Sequence, residues 1–396
     1  GYALDVMVGS IFADSLTSNS LGAGFLSYND TLLGLAGDDA YVFTDNFGTD
    51  TVTENIGEGT DTLDFSAVTA NLTFAISIDT NGNRVVSVID TANPLNRVQA
   101  TNVENLVGGR GTNRFVFVGA GPLLTGNVTG SDTGENILDY SAYVSAVTVN
   151  LQTLSASGTG GASNISQLIG SSLNSLPGGN SVIGASSGGT WSITGANAGT
   201  VNGLSFSGVQ YLTAGSTDDL LDYSDYATGV SVNLATGSAT GLSTVSGFRN
   251  VLGSEFNDTL TGDANDNTIS GGAGANTLVG GGGIDTVMAA RDANLTLERD
   301  RLLSSYNRQS RSHPAIRPPL HHNRRCETGT CKVFRSFFCP RPGLAEQVNR
   351  LLLLTAPPAK DPLGIQFIER NGPVSYTHLR AHETKANLVC RLLLEK

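Results

Sequence analysis

An aliphatic residue recurs at every ninth position near residue 270: Leu260, Ile269, Leu278 and Val287. Around these four the chain is glycine, asparagine, aspartate and threonine, residues that favour turns. Read in nines, the stretch is Gly253-Ser-Glu-Phe-Asn-Asp-Thr-Leu-Thr, Gly262-Asp-Ala-Asn-Asp-Asn-Thr-Ile-Ser, Gly271-Gly-Ala-Gly-Ala-Asn-Thr-Leu-Val and Gly280-Gly-Gly-Gly-Ile-Asp-Thr-Val-Met. The pattern predicts a turn followed by a brief strand that presents one apolar residue to a core, repeated without a gap over 253–288. Glycines at the first, second and fourth places (Gly271, Gly272 and Gly274; Gly280, Gly281 and Gly283) allow φ > 0, so carbonyl oxygens can face inward. The sixth place, Asp258, Asn267, Asn276 and Asp285, offers a side-chain oxygen at each turn.

Looser copies precede this run. Gly9 to Thr17 has the pattern of Gly253 to Thr261. Asp30, Asp39 and Asp61 take the sixth place in three further copies, and Gly108-Gly109-Arg-Gly111-Thr-Asn113 fits with an asparagine. A longer repeat lies between the turns. Leu138-Asp139-Tyr140-Ser141 and Leu221-Asp222-Tyr223-Ser224 are copies, and each leads to an alternating strand, Val147 to Leu151 and Val230 to Leu234. Asp139 to Gly170 and Asp222 to Gly253 are both 31 residues, an 83-residue offset between the copies. Leu63-Asp64-Phe65-Ser66 begins a third copy with an insertion in which Asn81-Gly82 predicts a hairpin. A second insertion surrounds Trp191, the only tryptophan, which is expected in the core. The Asp–Tyr–Ser clusters are expected to cap strand ends rather than to act as acid and base. The fold class expected is all-β.

The four nonapeptides resemble the repeats-in-toxin (RTX, haemolysin-type) calcium-binding family, whose nonapeptide builds a parallel β-roll. The resemblance implies β-roll or β-solenoid repeats with interleaved β-strand modules, and Ca2+ as cofactor. Calcium takes six to eight oxygens, and carboxylates plus carbonyls suit it. The implied ligands over 253–288 are Asp258, Asp263, Asp266, Asn267, Asn276 and Asp285 with the glycines named above. Asp30, Asp39, Asp61 and Asp219 are candidates in the earlier copies. In that architecture a coil is two nonapeptides, so turns i and i+2 share an ion. Asp258 would then pair with Asn276, and Asn267 with Asp285. One carboxylate per pair implies weak sites, near ~10⁻⁴–10⁻³ M.

Composition divides the chain. Residues 1–297 hold 27 acidic residues and six arginines, a net −21, with no lysine, histidine or cysteine. Residues 298–396 hold 17 basic and eight acidic residues, a net +9, with all five histidines and all four cysteines. The negative part argues against nucleic acid or an anionic membrane as partner and for divalent cations. It cannot assemble a Ser–His–Asp triad, a Cys–His pair or a zincin site. No membrane-spanning segment is expected. The missing signal peptide means little in a chain that reads as a fragment.

The repeat pattern is intact at Asp292-Ala-Asn-Leu-Thr-Leu297, an echo of Thr69 to Phe74, and then stops. Residues 374–396 resemble a translated sequencing adapter, and 298–373 an out-of-frame reading, so 298–396 is expected to lack a real fold. The histidines and cysteines there fit no tight zinc knuckle.

The expected organisation is degenerate nonapeptides over 1–62 and β modules over 63–134, 135–213 and 214–252. The four-nonapeptide roll spans 253–288, and the next module starts at 289–297. The resemblance implies a non-enzymatic, calcium-binding structural or adhesive region of a secreted or cell-surface bacterial protein, folding on calcium outside the cell. Its further partner would be an extracellular or cell-surface polysaccharide or protein. The competing reading is the accessory region of a secreted protease, lipase or polysaccharide-modifying enzyme.

Overall fold

The computed structural model describes residues 5–18, 29–172 and 178–288, with the short strands Asn294–Leu295, Cys331–Arg335, Leu351–Ala356, Gly364–Glu369 and Gly372–Tyr376. The described residues form strands and turns and no helix, so the chain is all-β. Most of 298–396, and with it most of the adapter-like segment, lies outside the described residues. The last four of these strands pair antiparallel in chain order. Ser27 and Tyr28, which open the copy that runs through Asp30 to Leu32, also lie outside.

Most repeat strands are only three residues long, because each nonapeptide supplies one inward side chain and spends the rest on its turn. In Thr259–Thr261, Thr268–Ser270, Thr277–Val279 and Thr286–Met288 the middle residue is buried. Leu260, Ile269, Leu278 and Val287 are all fully inaccessible. Their neighbours point the other way, as the period of two requires.

Two compact units are distinguished. The second comprises 222–238 and 249–396. Within it alternate strands join different parallel sheets. Asn250–Leu252 pairs with Thr268–Ser270, which pairs with Thr286–Met288. Ser231–Asn233, Thr259–Thr261, Thr277–Val279 and Asn294–Leu295 pair in that order in the other sheet. The registers are in step: Leu260 lies beside Leu278, and Ile269 beside Val287. Each aliphatic side chain therefore stacks on the one two nonapeptides away.

The first unit comprises 1–221 and 239–248. Its parallel sheets are built the same way. Ser15–Thr17, Ala40–Val42, Thr62–Asp64, Asn105–Val107, Asn127–Thr129 and Gly161–Ser163 form one of them. Asp5–Val8, Asp30–Leu33 and Thr49–Thr53 begin another. The first insertion is a hairpin of Leu72–Ile78 against Arg84–Asp90, turned at Gly82 with φ +87°. The second runs Thr190–Gly195, Ala198–Val201 and Leu204–Ser207, all antiparallel.

The Asp–aromatic–Ser copies behave alike. Ser66, Ser141 and Ser224 each donate the backbone N–H to the carboxylate two residues before, on Asp64, Asp139 and Asp222. Phe65, Tyr140 and Tyr223 are fully buried. Tyr140 stacks on Phe117 at 4.5 Å, and Phe65 on Phe43 at 4.5 Å. These aromatic layers add apolar volume where single aliphatics would leave the interior thin. Trp191 is fully buried, edge-on to Phe248 at 5.5 Å.

With one aliphatic per turn, each is a large share of the local core. Ile269→Ala is expected to lower unfolding free energy by about 2–4 kcal/mol. Ser270→Ala, one residue along on the outward face, should change it by under about 0.5 kcal/mol. Denaturant titration of both variants checks this; equal effects would contradict the inward assignment.

Candidate metal sites

Stacking the strands stacks their turns. Asp258 donates its N–H to Oδ1 of Asn276 at 2.8 Å, and Asn267 donates its N–H to Oδ1 of Asp285 at 3.0 Å. Sixth places two nonapeptides apart therefore meet, giving Asp258 with Asn276 and Asn267 with Asp285. Asp258, Asn267 and Asn276 are buried, and Asp285 is half-buried. The Asn276 side chain donates its Nδ2–H to the carbonyl of Gly271 at 2.7 Å and of Ala273 at 2.8 Å. Inward-facing carbonyls of Gly271 and Ala273 thus meet at the sixth-place amide, whose oxygen faces the Asp258 N–H. Carbonyl and sixth-place oxygens are hard donors suited to calcium, and the residues present fit the ion where it takes the place of the amide N–H.

The glycines divide into two kinds. Gly272, Gly274, Gly281 and Gly283 have φ between +64° and +89°, which a side chain resists. Gly271 and Gly280, at the first place, do not take positive φ; this corrects the expectation that all three places turn through it. They are small because the sixth-place side chain lies against them. A Cβ on Gly271 would lie 2.7 Å from Asn276 Nδ2, and one on Gly280 2.5 Å from Asp285 Oδ2.

Asp263 and Asp266 face other duties. The Asp263 carboxylate accepts from the N–H and Nδ2–H of Asn265 within its own turn. Asp266 accepts the Ile284 N–H at 2.5 Å, at an exposed position. Their side chains brace turns outside the stacked sixth places. Asp219 is buried and accepts the Gly215 and Ser216 N–H groups at 2.7 and 2.9 Å, capping its own turn.

In the middle of the chain amides fill the position a cation would take. Asn113 donates Nδ2–H to the carbonyls of Gly109 and Gly111 and to Oδ1 of Asn136, at 2.7, 3.1 and 2.9 Å. Asn136 repeats this on Ser131 and Gly134. Asn180 donates to Ser171 and Gly208 at 2.8 and 2.7 Å. All three are buried. From Tyr140 to Thr217 the sequence carries no charged side chain at all.

Toward the N-terminus acids take over. Asp14 donates its N–H to Asp39, Asp39 to Asp61, and Asp61 to Glu104, at 2.7, 3.0 and 2.9 Å. Asp30 donates its N–H to Asp50 at 2.9 Å. Asp50 and Glu54 were not expected from the sequence. For Asp50 the signal existed: Gly48-Thr-Asp50-Thr-Val matches Gly59-Thr-Asp61-Thr-Leu. Burial pushes the Asp50 carboxyl up to about 7. Burial, then the Asp61 charge, pushes Glu54 to about 7, and burial pushes Asp61 to about 6. These shifts mark carboxylates held in the interior without a compensating charge.

Among the described residues no helix is long and apolar enough to cross a membrane. No curated protein matches the chain. The RTX calcium-binding nonapeptide repeat matches, in four copies, residues 26–42 and 252–287, the stretches that contain Asp30, Asp39 and the four stacked turns. Over these residues the chain carries the calcium-binding structural repeat of RTX, haemolysin-type proteins, a non-catalytic motif whose ligand is Ca2+.

Proposed function

We propose that this chain is a calcium-stabilised structural and adhesive region of a secreted or cell-surface bacterial protein, built as a parallel β-roll around its nonapeptides. The observation that carries the reading is the meeting of sixth places from alternate nonapeptides beside inward-facing carbonyls. Asp258, Asn276, Asn267 and Asp285 would hold the ions over 253–288, with backbone oxygens of the glycine turns. Asp30, Asp39 and Asp61 would do so in the earlier copies. The excess of negative charge in 1–297 repels itself in the compact state, and cations that bind only the folded turns offset it. Scarce calcium inside the cell would leave these turns unfolded; abundant calcium outside would fold them. The same charge disfavours nucleic acid and leaves an extracellular polysaccharide or protein as the adhesive partner.

Calcium dependence should then vary along the chain. In full-length protein with chelator, residues 30–62 and 253–288 are expected to lose amide protection, while the amide-filled turns around Asn113, Asn136 and Asn180 keep more of theirs. Adding calcium should restore protection at both outer stretches. Hydrogen exchange read by peptide mass spectrometry measures this, and protection that ignores calcium everywhere would overturn the proposal.

The neutral sixth places give a second test. Asn276→Asp and Asn267→Asp each complete an aspartate pair, and affinity tracks ligand charge. Both should tighten calcium binding in calorimetric titration. In chelator Asn276→Asp should cost about 1–3 kcal/mol, because it loses two buried N–H donors and leaves carbonyls unmatched. Unchanged or weaker calcium binding in both variants would count against shared ions between alternate turns.

A further inference from the structure

Glu54 belongs to no nonapeptide position that the repeat assigns to metal. It follows the strand Thr49–Thr53 directly, and the turn it opens runs on to Asp61. Its side chain nevertheless points at the sixth-place acids. One carboxylate oxygen from each of Asp39, Glu54 and Asp61 lies within 4.8 Å of the others. Calcium–oxygen bonds are about 2.3–2.6 Å, so two ligands across one ion sit up to about 5 Å apart. The three oxygens are therefore at the spacing a shared cation requires.

All three residues are at most 2% exposed. Asp39 Oδ1 takes the Asp14 N–H, Asp61 Oδ1 takes the Asp39 N–H, and Glu54 Oε1 takes the Gly34 N–H and the Tyr41 hydroxyl. That leaves Asp39 Oδ2 and Glu54 Oε2 buried with no hydrogen-bond partner. Buried carboxylate oxygens without donors are costly, and an adjacent cation is the usual remedy. Among the described residues no basic side chain supplies it. The ion pairs among the described residues are Arg84 with Glu104 and Arg114 with Asp139. Gly34 keeps the space open: a Cβ there would lie 2.2 Å from Asp39 Oδ2 and 2.4 Å from both Glu54 Oε1 and the Tyr41 oxygen.

We infer that Asp39, Glu54 and Asp61 form a three-carboxylate site for a divalent cation, and that Glu54 makes it the tightest calcium site in the chain. The inference rests on the calcium reading of the repeats and adds a ligand and a rank order to it. Three carboxylates converge here, against one aspartate in each stacked pair over 253–288, and affinity rises with ligand charge.

The test uses full-length protein titrated with Ca2+ and, separately, with Tb3+ under tyrosine excitation. Tyr41 touches Glu54, so it should sensitise terbium emission at this site. Glu54→Gln keeps shape and one acceptor but removes a charge. It is expected to weaken the tightest calcium step at least tenfold. In chelator it should be no less stable than the parent, since it relieves buried repulsion. Tyr41→Phe, which keeps all three carboxylates, should remove most of the sensitised emission of the first equivalent. An unchanged tightest step in Glu54→Gln, or emission indifferent to Tyr41→Phe, overturns the inference. If calcium still responds to Asn276→Asp in that case, only this site is lost. If the parent binds no calcium at all, the wider reading falls with it.

Discussion

Stacked turns impose one demand on everything else: carbonyl oxygens that point inward must meet a donor. A strand satisfies its carbonyls through the ladder, but a glycine turn aims some of them at the interior, where water is excluded and an unmatched oxygen is costly. Two solutions are visible along this chain. Asn113, Asn136, Asn180 and Asn276 reach in with an amide N–H to two carbonyls each. Asp39 and Glu54 bring oxygens that add to the demand, since Asp39 Oδ2 and Glu54 Oε2 have no donor, whereas Asp258 is met by the Val230 and Ser254 N–H groups and the Ser254 hydroxyl. A divalent cation resolves the second case; in the first the amide already meets the carbonyls, so an ion shared with Asn276 would have to displace its N–H donors. Asparagine and aspartate are nearly the same shape, so exchanging one for the other changes how strongly a turn calls for an ion without demanding a different backbone.

That exchange is graded along the chain. Acidic sixth places stand at Asp14, Asp30, Asp39, Asp50 and Asp61, buried turn amides at Asn113, Asn136 and Asn180, and mixed pairs over 253–288. The core varies separately, and aromatics stack beside the acidic turns too, as Phe43 does on Phe65. Where the turns are amide-filled, stacked aromatics such as Phe117 on Tyr140 and the Trp191–Phe248 contact bury large apolar surfaces. Over 253–288 the interior is single aliphatics from Leu260 to Val287. A segment with thick aromatic packing can hold itself together by burial, whereas a one-residue-wide aliphatic row gains little per turn and leans on its ions.

Much of this was legible in the sequence, for physical reasons. A strand of three residues with one inward side chain leaves a mark that depends on local chemistry alone: turn formers, then a single aliphatic. The 31-residue spacing from Asp139 to Gly170 and from Asp222 to Gly253 likewise became matching strands, Gln167–Ile169 and Asn250–Leu252. Tyr140, Tyr223 and Trp191 lie in the core as the capping and packing arguments require. The glycines were read less well, because a need for positive φ and a need for empty space both select glycine. Gly271 is glycine for the second reason.

Glu54 could not have been found from pattern, and the cause is geometric. It is seven residues before Asp61 and fifteen after Asp39, distances that correspond to no place in a nine-residue frame. Its partners come to it only because Asp30–Leu33 pairs with Thr49–Thr53 and Ala40–Val42 with Thr62–Asp64, which brings two alternate turns to the same edge. Asp263 and Asp266 show the converse. They lie close in sequence to the sixth place, yet Asp263 stays within its own turn, where Asn265 donates to it, and Asp266 takes the Ile284 N–H at an exposed position. In a stacked-turn protein, proximity to the motif is a poor guide to which acids meet an ion. What decides it is whether the side chain enters the column of inward-facing carbonyls, and the pairing of alternate strands sets that column.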